Sequence, residues 1–330
     1  MERWSRRTFL KASGLAGAGM LLNRERSHAM DSGKSRVSLV KTADRNEGVK
    51  SSIQALGINP VKGKAVLIKP NFNTADAAPG STHNDTLTAL VDEIWSLGAR
   101  SISLGERSYP PTRQVMEQKG VLPLLKERSV TVINFDDLPA KDWVEIIPEK
   151  SHWKKGFRVA RPVLEAECLV STGCLKTHQY GGVFTHSLKL HVGVVPTTRQ
   201  GFDYMKELHS SPHQRKMIAE INQAFAPALV VMDGVEVFVD GGPMTGKRAR
   251  GDVFLASADR VSIDAVGLAV LKSLGSNEAV MGTKIFEQEQ INRAVTLGLG
   301  ASGPDRIELV PADDRSREYG DRIMKILSEG

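Results

Sequence analysis

Cysteine is nearly absent, with two residues in 330, Cys168 and Cys174. There is no C-x-x-C pair and no closely spaced cysteine run, which excludes a cysteine-ligated iron–sulfur cluster and a zinc ribbon. Cys168, within Glu167-Cys168-Leu169-Val170-Ser171, reads as a buried strand residue. Aromatic residues are scarce at 5%, which weakens a base-stacking reading for nucleic acid. Long apolar runs are missing as well. Ala12–Leu22 is a Gly/Ala-rich stretch of about eleven residues, where a membrane span needs about 20, and no later apolar segment reaches that length. What is present is a globular composition, 41% hydrophobic and 25% charged, which excludes disorder and a collagen-like chain. The length accommodates one large or two modest domains.

The formal charge of +6 and a pI near 9.2 suggest an anionic partner, but the charge is unevenly placed. Residues 1–29 contribute +4 and the remaining chain +2. Ser5-Arg6-Arg7-Thr8-Phe9-Leu10-Lys11 has the form of a twin-arginine export signal. The short apolar run follows, and Ser27-His28-Ala29 places small residues at −3 and −1 of a cleavage site. The segment is expected to be a cleaved signal peptide with no stable membrane anchor left behind. The twin-arginine (Tat) translocase is the expected export partner, and the expected location is periplasmic or otherwise extracytoplasmic. Most of the basicity is then an export address, and nucleic acid is not expected as a partner. Gly14-Leu15-Ala16-Gly17-Ala18-Gly19 imitates a nucleotide-binding turn, but no strand precedes it and it lies inside the signal.

From residue 30 onward, β-branched apolar runs alternate with amphipathic stretches, which predicts one α/β domain with a mainly parallel sheet sandwiched by helices. Strands are expected at 37–40, 64–68, 101–104, 130–135, 168–172, 228–233 and 252–257. Helices are expected at 46–55, 84–97, 112–126, 213–225 and 261–274. Asn84 is the expected cap of the second helix, and Leu87, Leu90, Val91, Ile94 and Trp95 share one face. Residues 136–165 read as a small irregular or β insertion, with hairpin strands at 143–147 and 157–160. The C-terminal tail reads as helical, near 285–297 and 316–327.

In such sheets ligands collect beyond the carboxyl ends of the strands. Four predicted strands run into polar tails: Lys69-Pro70-Asn71, Gly105-Glu106-Arg107-Ser108, Lys176-Thr177-His178 and Asp233-Gly234. Five of the eight histidines lie between 178 and 213, a clustering suited to proton transfer or metal binding. Residues 185–194 read equally as a strand, from the alternation of Leu188, Leu190, Val192 and Val194, or as a helix that puts Thr185 and Lys189 on one face. Gly241 to Lys247 fits GxxxxGK, but Arg248 stands where a phosphate loop needs Ser or Thr and a strand is expected next, which excludes an ATPase. Gly241 and Gly242 can still offer backbone N–H groups to an anion or form a plain turn.

Taken in order, Ile68-Lys69-Pro70-Asn71-Phe72, Ser81-Thr82-His83, Gly105-Glu106-Arg107-Ser108, Leu175-Lys176-Thr177-His178 and Thr185-His186-Ser187-Leu188-Lys189 form a recognisable series. Gly193-Val194-Val195-Pro196, Arg199, Asp233-Gly234, Gly241-Gly242-Pro243-Met244-Thr245-Gly246 and Asp259 to Asp264 continue it. Together they resemble the bacterial and archaeal family catalogued as "domain of unknown function 362", over about residues 64–275. The resemblance implies an α/β domain, sometimes exported and sometimes fused to a ferredoxin module whose cysteines this chain lacks. It implies no established reaction. The family usually shows Asn after the lysine of Ser-Leu-Lys, whereas Leu190-His191 follows Lys189 here.

The first functional expectation is an exported enzyme acting on a small anionic molecule. Lys176, His178, Glu106 and Lys189 are the candidate catalytic groups. Lys69, Asn71, His83, Thr185, Arg199, Gly241 and Gly242 are the candidate ligand-binding groups. No cofactor is identified, although His178 and Asp233 are candidates to share a divalent metal. The alternative is a non-catalytic metal- or cofactor-binding protein, for redox or delivery, without a cysteine-ligated cluster. A solute-binding protein ranks behind both, since two similar lobes are not evident.

Overall fold

The computed structural model describes residues 33–330 together with the backbone of Arg3–Trp4, so the predicted signal peptide at 1–29 lies, that pair aside, outside the described residues. The chain opens with β1 (Ser35–Val40), α1 (Arg45–Leu56), β2 (Ala65–Lys69), α2 (Asn84–Ser96) and β3 (Ser101–Glu106). It continues with α3 (Thr112–Gln118), α4 (Val121–Glu127) and β4 (Val130–Asn134). Local chemistry sets these boundaries. Asp44 caps α1 by accepting from the Glu47 N–H, and Gly57 ends it in the left-handed region at φ 68°. The expected single helix over 112–126 is two helices, because Gly120 turns left-handed at φ +66° between them. The cap of α2 is His83, not Asn84; the Asn84 side chain donates instead to the Lys119 carbonyl.

The insertion is a hairpin of antiparallel β5 (Trp143–Ile146) and β6 (Phe157–Ala160). Then follow β7 (Cys168–His178), β8 (Val183–Thr185), α5 (Ser187–Leu190), α6 (Tyr204–Ser210) and α7 (Gln214–Ile221). After these come β9 (Leu229–Gly241), β10 (Gly246–Arg250), β11 (Phe254–Ser257) and α8 (Arg260–Ser273). The tail is not purely helical. It supplies an edge strand, β12 (Ile307–Pro311), before its last helix, α9 (Asp314–Glu329).

A single ten-stranded sheet has the order β12-β1-β11-β9-β7-β2-β3-β4, with β10 paired to β9 and β8 to β7. Along that path β11 runs against both its neighbours and every other pairing is parallel. The fold is α/β, with a mostly parallel sheet flanked by helices. Strand alternation divides the core between the two faces. Val66, Ile68, Val170 and Val231 join the layer under α1 and α2. Val230 and Met232 join the layer under α8 and α9, and Leu67 and Leu169 pack against the insertion, α6 and α7.

All eleven residues of β7 are buried, as expected for a central strand covered on both faces. Both cysteines lie on it, unpaired, and six residues apart they stand about 20 Å from each other along an extended strand. Burial pushes the Cys168 thiol up to about 11 and the Cys174 thiol up to about 12, which leaves both unreactive near neutrality. Among the described residues, no helix is long and apolar enough to cross a membrane.

Candidate active site

Strands β2, β3 and β7 are neighbours and run the same way, so their carboxyl ends open on one edge of the sheet. There they bound a cavity of about 550 Å³, closed from the other side by residues 185–209 and by Pro243-Met244. Lys69, Asn71, Glu106, Arg107, Lys176 and His178 reach it from the strand ends, and Thr185 and Lys189 from the α5 region. Residues 187–194 form α5 and a following 3-10 turn, so the helical alternative describes this segment. Asp264 anchors it: Oδ1 accepts from the Ser187 N–H at 2.7 Å and Oδ2 from the Leu188 N–H at 3.0 Å.

The cations fall into two groups. Lys69 Nζ lies 2.5 Å from Glu106 Oε1, both groups are fully buried, and Glu106 also accepts from the N–H groups of Phe72 and Arg107. Burial pushes Lys69 down and Glu106 up, and each holds the other charged. A Cβ at Gly193 would sit 2.8 Å from Lys69 Nζ and 2.7 Å from Glu106 Oε1, so any larger residue there would displace one member of this pair.

Lys176, Lys189 and Arg107 have no such partner; among the described residues no carboxylate lies within ion-pair distance of them. Lys176 Nζ donates only to neutral oxygens, Asn71 Oδ1 at 2.9 Å, Pro243 O at 3.3 Å and the Gly80 carbonyl. Arg107 reaches Thr197 Oγ1 at 3.0 Å, Val192 O at 3.3 Å and Met205 Sδ at 3.5 Å, and its buried Nε has no partner. Among the described residues no hydrogen bond or ion pair engages Lys189, which is 9% exposed. Burial, reinforced by neighbouring cations, lowers Lys189 to about 7, and burial lowers Lys176 to about 8.

His178 stands beside Lys189. Gly182 passes between them, and a Cβ there would lie 2.7 Å from Lys189 Cε and 2.8 Å from His178 Nδ1. Burial and the neighbouring lysines push the imidazole far below its ordinary range, so it is neutral, and its buried Nδ1 has no partner. Thr185 Oγ1 is likewise buried without one.

Other expected site residues lie elsewhere. Asp233 pairs in register with Cys174, four residues short of His178 and about 13 Å back along the strand. Its carboxylate accepts from Arg45 Nε at 2.9 Å, Thr86 Oγ1 at 2.6 Å and the Val235 N–H at 2.9 Å. It does not line the cavity, so the structure does not bring the two candidate metal ligands together. Among the described residues there is no group of three or more His, Cys, Asp or Glu side chains that could hold a metal ion. His83 caps α2 outside the cavity. Arg199 donates to Leu138 O at 2.8 Å and stacks on Trp143. Gly241 and Gly242, both at φ 75°, form the β9–β10 turn and carry Pro243 and Met244 to the cavity wall without lining it. His191 is a core residue, with Nε2 2.9 Å from Ser171 Oγ and Nδ1 2.8 Å from Asn222 Oδ1. His186 is buried against Phe184 and Gly267.

Sequence reasoning did not single out Arg107, Tyr109, Tyr180 or His209, all of which line the cavity. Arg107 was within sight, since it adjoins Glu106 in a strand tail. The others sit on turns or on α6, with no periodic signal to mark them.

A family model described as Domain of unknown function (DUF362) matches residues 66–269. A thylakoid-associated protein of Synechocystis sp. is 24% identical over 213 residues, which cover 64% of this chain and 64% of that protein. The match thus spans just under two thirds of that relative's length. Among solved structures, the lactate racemase apoprotein from Thermoanaerobacterium thermosaccharolyticum is similar at a TM-score of 0.43 and 14% identity, over 87% of this chain and 85% of that one.

Proposed function

The chain belongs to the DUF362 family, a domain of unknown function, and for this member we propose an enzyme that binds a small anionic molecule in the cation-lined cavity and moves a proton on it through Lys189. The observation that carries the reading is the set of three buried cations, Arg107, Lys176 and Lys189, with no carboxylate within ion-pair distance among the described residues. Burying an ammonium or guanidinium without a countercharge costs several kcal/mol, and an anionic ligand would offset that cost by supplying the missing charge. The Lys69–Glu106 pair is internally neutral, so its part is to hold the strand ends in place.

Lys189 suits proton transfer because it titrates near neutrality and is unengaged. Charged by the bound anion, its ammonium donates a proton to the bound molecule, while Arg107 and Lys176 hold the anionic group. Neutral His178, beside Lys189 and with a free ring nitrogen, orients the ligand through a hydrogen bond. Metal assistance is a lesser part of the proposal, since His178 alone of the two expected ligands faces the cavity.

We also propose that the protein is exported folded by the twin-arginine route. The order of arginine pair, short apolar run and small-residue cleavage site supports this. Replacing both Arg6 and Arg7 by Lys is expected to hold the protein inside the cell, and undiminished export would overturn it. For the cavity, titration calorimetry with inorganic phosphate is expected to show binding that Lys176→Met and Lys189→Met each weaken at least tenfold without unfolding the protein. Unchanged affinity in both variants would remove the reading. Mass spectrometry of molecules that co-purify with the native protein identifies the ligand directly.

A further inference from the structure

The buried cations lie at the base of the cavity. Leu190, Val192, Met205, Pro243 and Met244 give its wall an apolar stretch, beside exposed Asp203 and Lys206, which also line it. At about 550 Å³ it far exceeds the space of a bare inorganic ion, given that a water molecule in the liquid occupies about 30 Å³. It falls instead in the range that encloses a small organic molecule.

The mouth carries a second, independent signal. Among the described residues the large hydrophobic side chains left exposed are Tyr109 (71%), Tyr180 (54%), Met281 (44%) and Ile147 (37%). Two of these four, the only aromatic ones, line this one cavity. They arrive on unrelated elements, Tyr109 on the loop after β3 and Tyr180 on the turn between β7 and β8. The Tyr109 backbone N–H donates to Asn73 O at 2.7 Å, which fixes the main chain that carries the ring, and the Tyr180 ring packs edge-on against His178 with centroids 5.9 Å apart. A tyrosine ring offers a large, stiff apolar face at little conformational cost, which explains its use at binding surfaces. Bare phosphate or a short polar acid would leave both rings and the apolar wall without a function.

We infer that the ligand is an amphipathic organic anion, whose carboxylate or phosphate group enters first onto Arg107, Lys176 and Lys189 and whose flat apolar body rests between the wall and the mouth tyrosines. This rests on the anion-binding reading and adds the substrate class. The two methionines on the wall, with flexible and polarisable side chains, adapt to the edge of such a body.

The test compares four probes on the full-length protein by titration calorimetry: inorganic phosphate, phenyl phosphate, benzoate and uncharged benzyl alcohol. Phenyl phosphate is expected to bind at least tenfold more tightly than phosphate, and benzyl alcohol far more weakly than benzoate. In the double variant Tyr109→Ala, Tyr180→Ala the phenyl phosphate-to-phosphate affinity ratio is expected to fall below three. In Tyr109→Phe, Tyr180→Phe it is expected to hold, because the aromatic faces remain. Both positions are exposed, so the variants keep the core intact. Equal affinities for phosphate and phenyl phosphate in the unaltered protein, or an undiminished ratio in the alanine variant, would overturn this inference and leave the anion site standing. Benzyl alcohol binding as tightly as benzoate would overturn the anion site itself.

Discussion

Replacing Lys189 by Met is expected to stabilise the protein while weakening anion binding at least tenfold. Methionine retains most of the aliphatic stem and removes a buried charge that no carboxylate neutralises. Burial, with Lys176 and Arg107 close by, lowers the ammonium from 10.5 to about 7. The unfolded chain holds this proton up to about pH 10.5 and the native protein releases it near 7. Between these values the unfolded state binds more protons, so stability rises with pH; below about 7 the penalty is present in full. A shift of this size corresponds to about 5 kcal/mol. Lys189→Met is therefore expected to gain about 2–5 kcal/mol at pH 6, and the gain is expected to vanish as the pH rises through 10.5. Urea unfolding at pH 6, 8 and 10.5 measures it, and calorimetry on the same samples measures the loss of phosphate binding. A neutral or destabilising effect at pH 6, or a gain that does not change with pH, would refute the reasoning. Either would mean that the ammonium is already neutralised in the native protein.

Further outcomes follow from the same geometry. At pH 8, phosphate binding is expected to take up between about one and two protons, because Lys189 is then mostly neutral, Lys176 about half neutral, and an anion restores both charges; titration in buffers of different ionisation enthalpy counts them, and Lys189→Met should lower the count by most of one. Asp264→Ala strips the acceptor from two buried N–H groups at the start of α5 and should cost about 2–4 kcal/mol. It should also weaken phosphate binding through the displaced Lys189, and Asn should restore part of both. His191→Ala should destabilise the protein by about 2–4 kcal/mol, measured by urea unfolding, with phosphate affinity within twofold of the unaltered protein, since its ring bonds Ser171 and Asn222 in the core. His83→Ala and Arg199→Ala should likewise leave phosphate affinity within twofold by calorimetry, and a tenfold loss in either would mean that the cavity extends beyond the residues that line it.

How far the sequence could be read depended on how local the determinants were. The alternating apolar pattern located most strands of the parallel sheet, and the rule that ligands gather at strand ends led to Lys69, Glu106, Lys176 and His178. These sit on adjacent parallel strands that share one edge, so proximity followed from topology. Asp233 satisfied the same rule on β9 but lies level with Cys174, because β9 and β7 both run on well beyond their predicted ends. Strand length, more than strand identity, decided which polar tail reached the cavity. Lengths were underestimated because Lys176, His178, Asp233 and Asp240 read as chain leaving the sheet, although partner strands and the cavity stabilise polar residues inside it. The edge strand β12 was missed for the converse reason: Ile307–Pro311 is short, and its pairing with β1 comes from the far end of the chain.

Histidine clustering misled in a more instructive way. Of the five histidines between 178 and 213, His178 and His209 line the cavity, whereas His186 and His191 are packed in the core. In α5 and the turn after it, successive residues point to different sides, so Lys189 faces the cavity and His191, two residues on, faces Ser171 and Asn222. Adjacency in sequence therefore says little about shared function once the chain turns helical. The feature that marks the site is visible only in three dimensions. Two buried carboxylates elsewhere in the fold are matched to cations, Glu220 to Arg293 and Asp233 to Arg45. In this cavity Arg107, Lys176 and Lys189 are left unmatched. Three buried cations facing one cavity, with no carboxylate within ion-pair distance among the described residues, are the arrangement on which the proposed anion site rests.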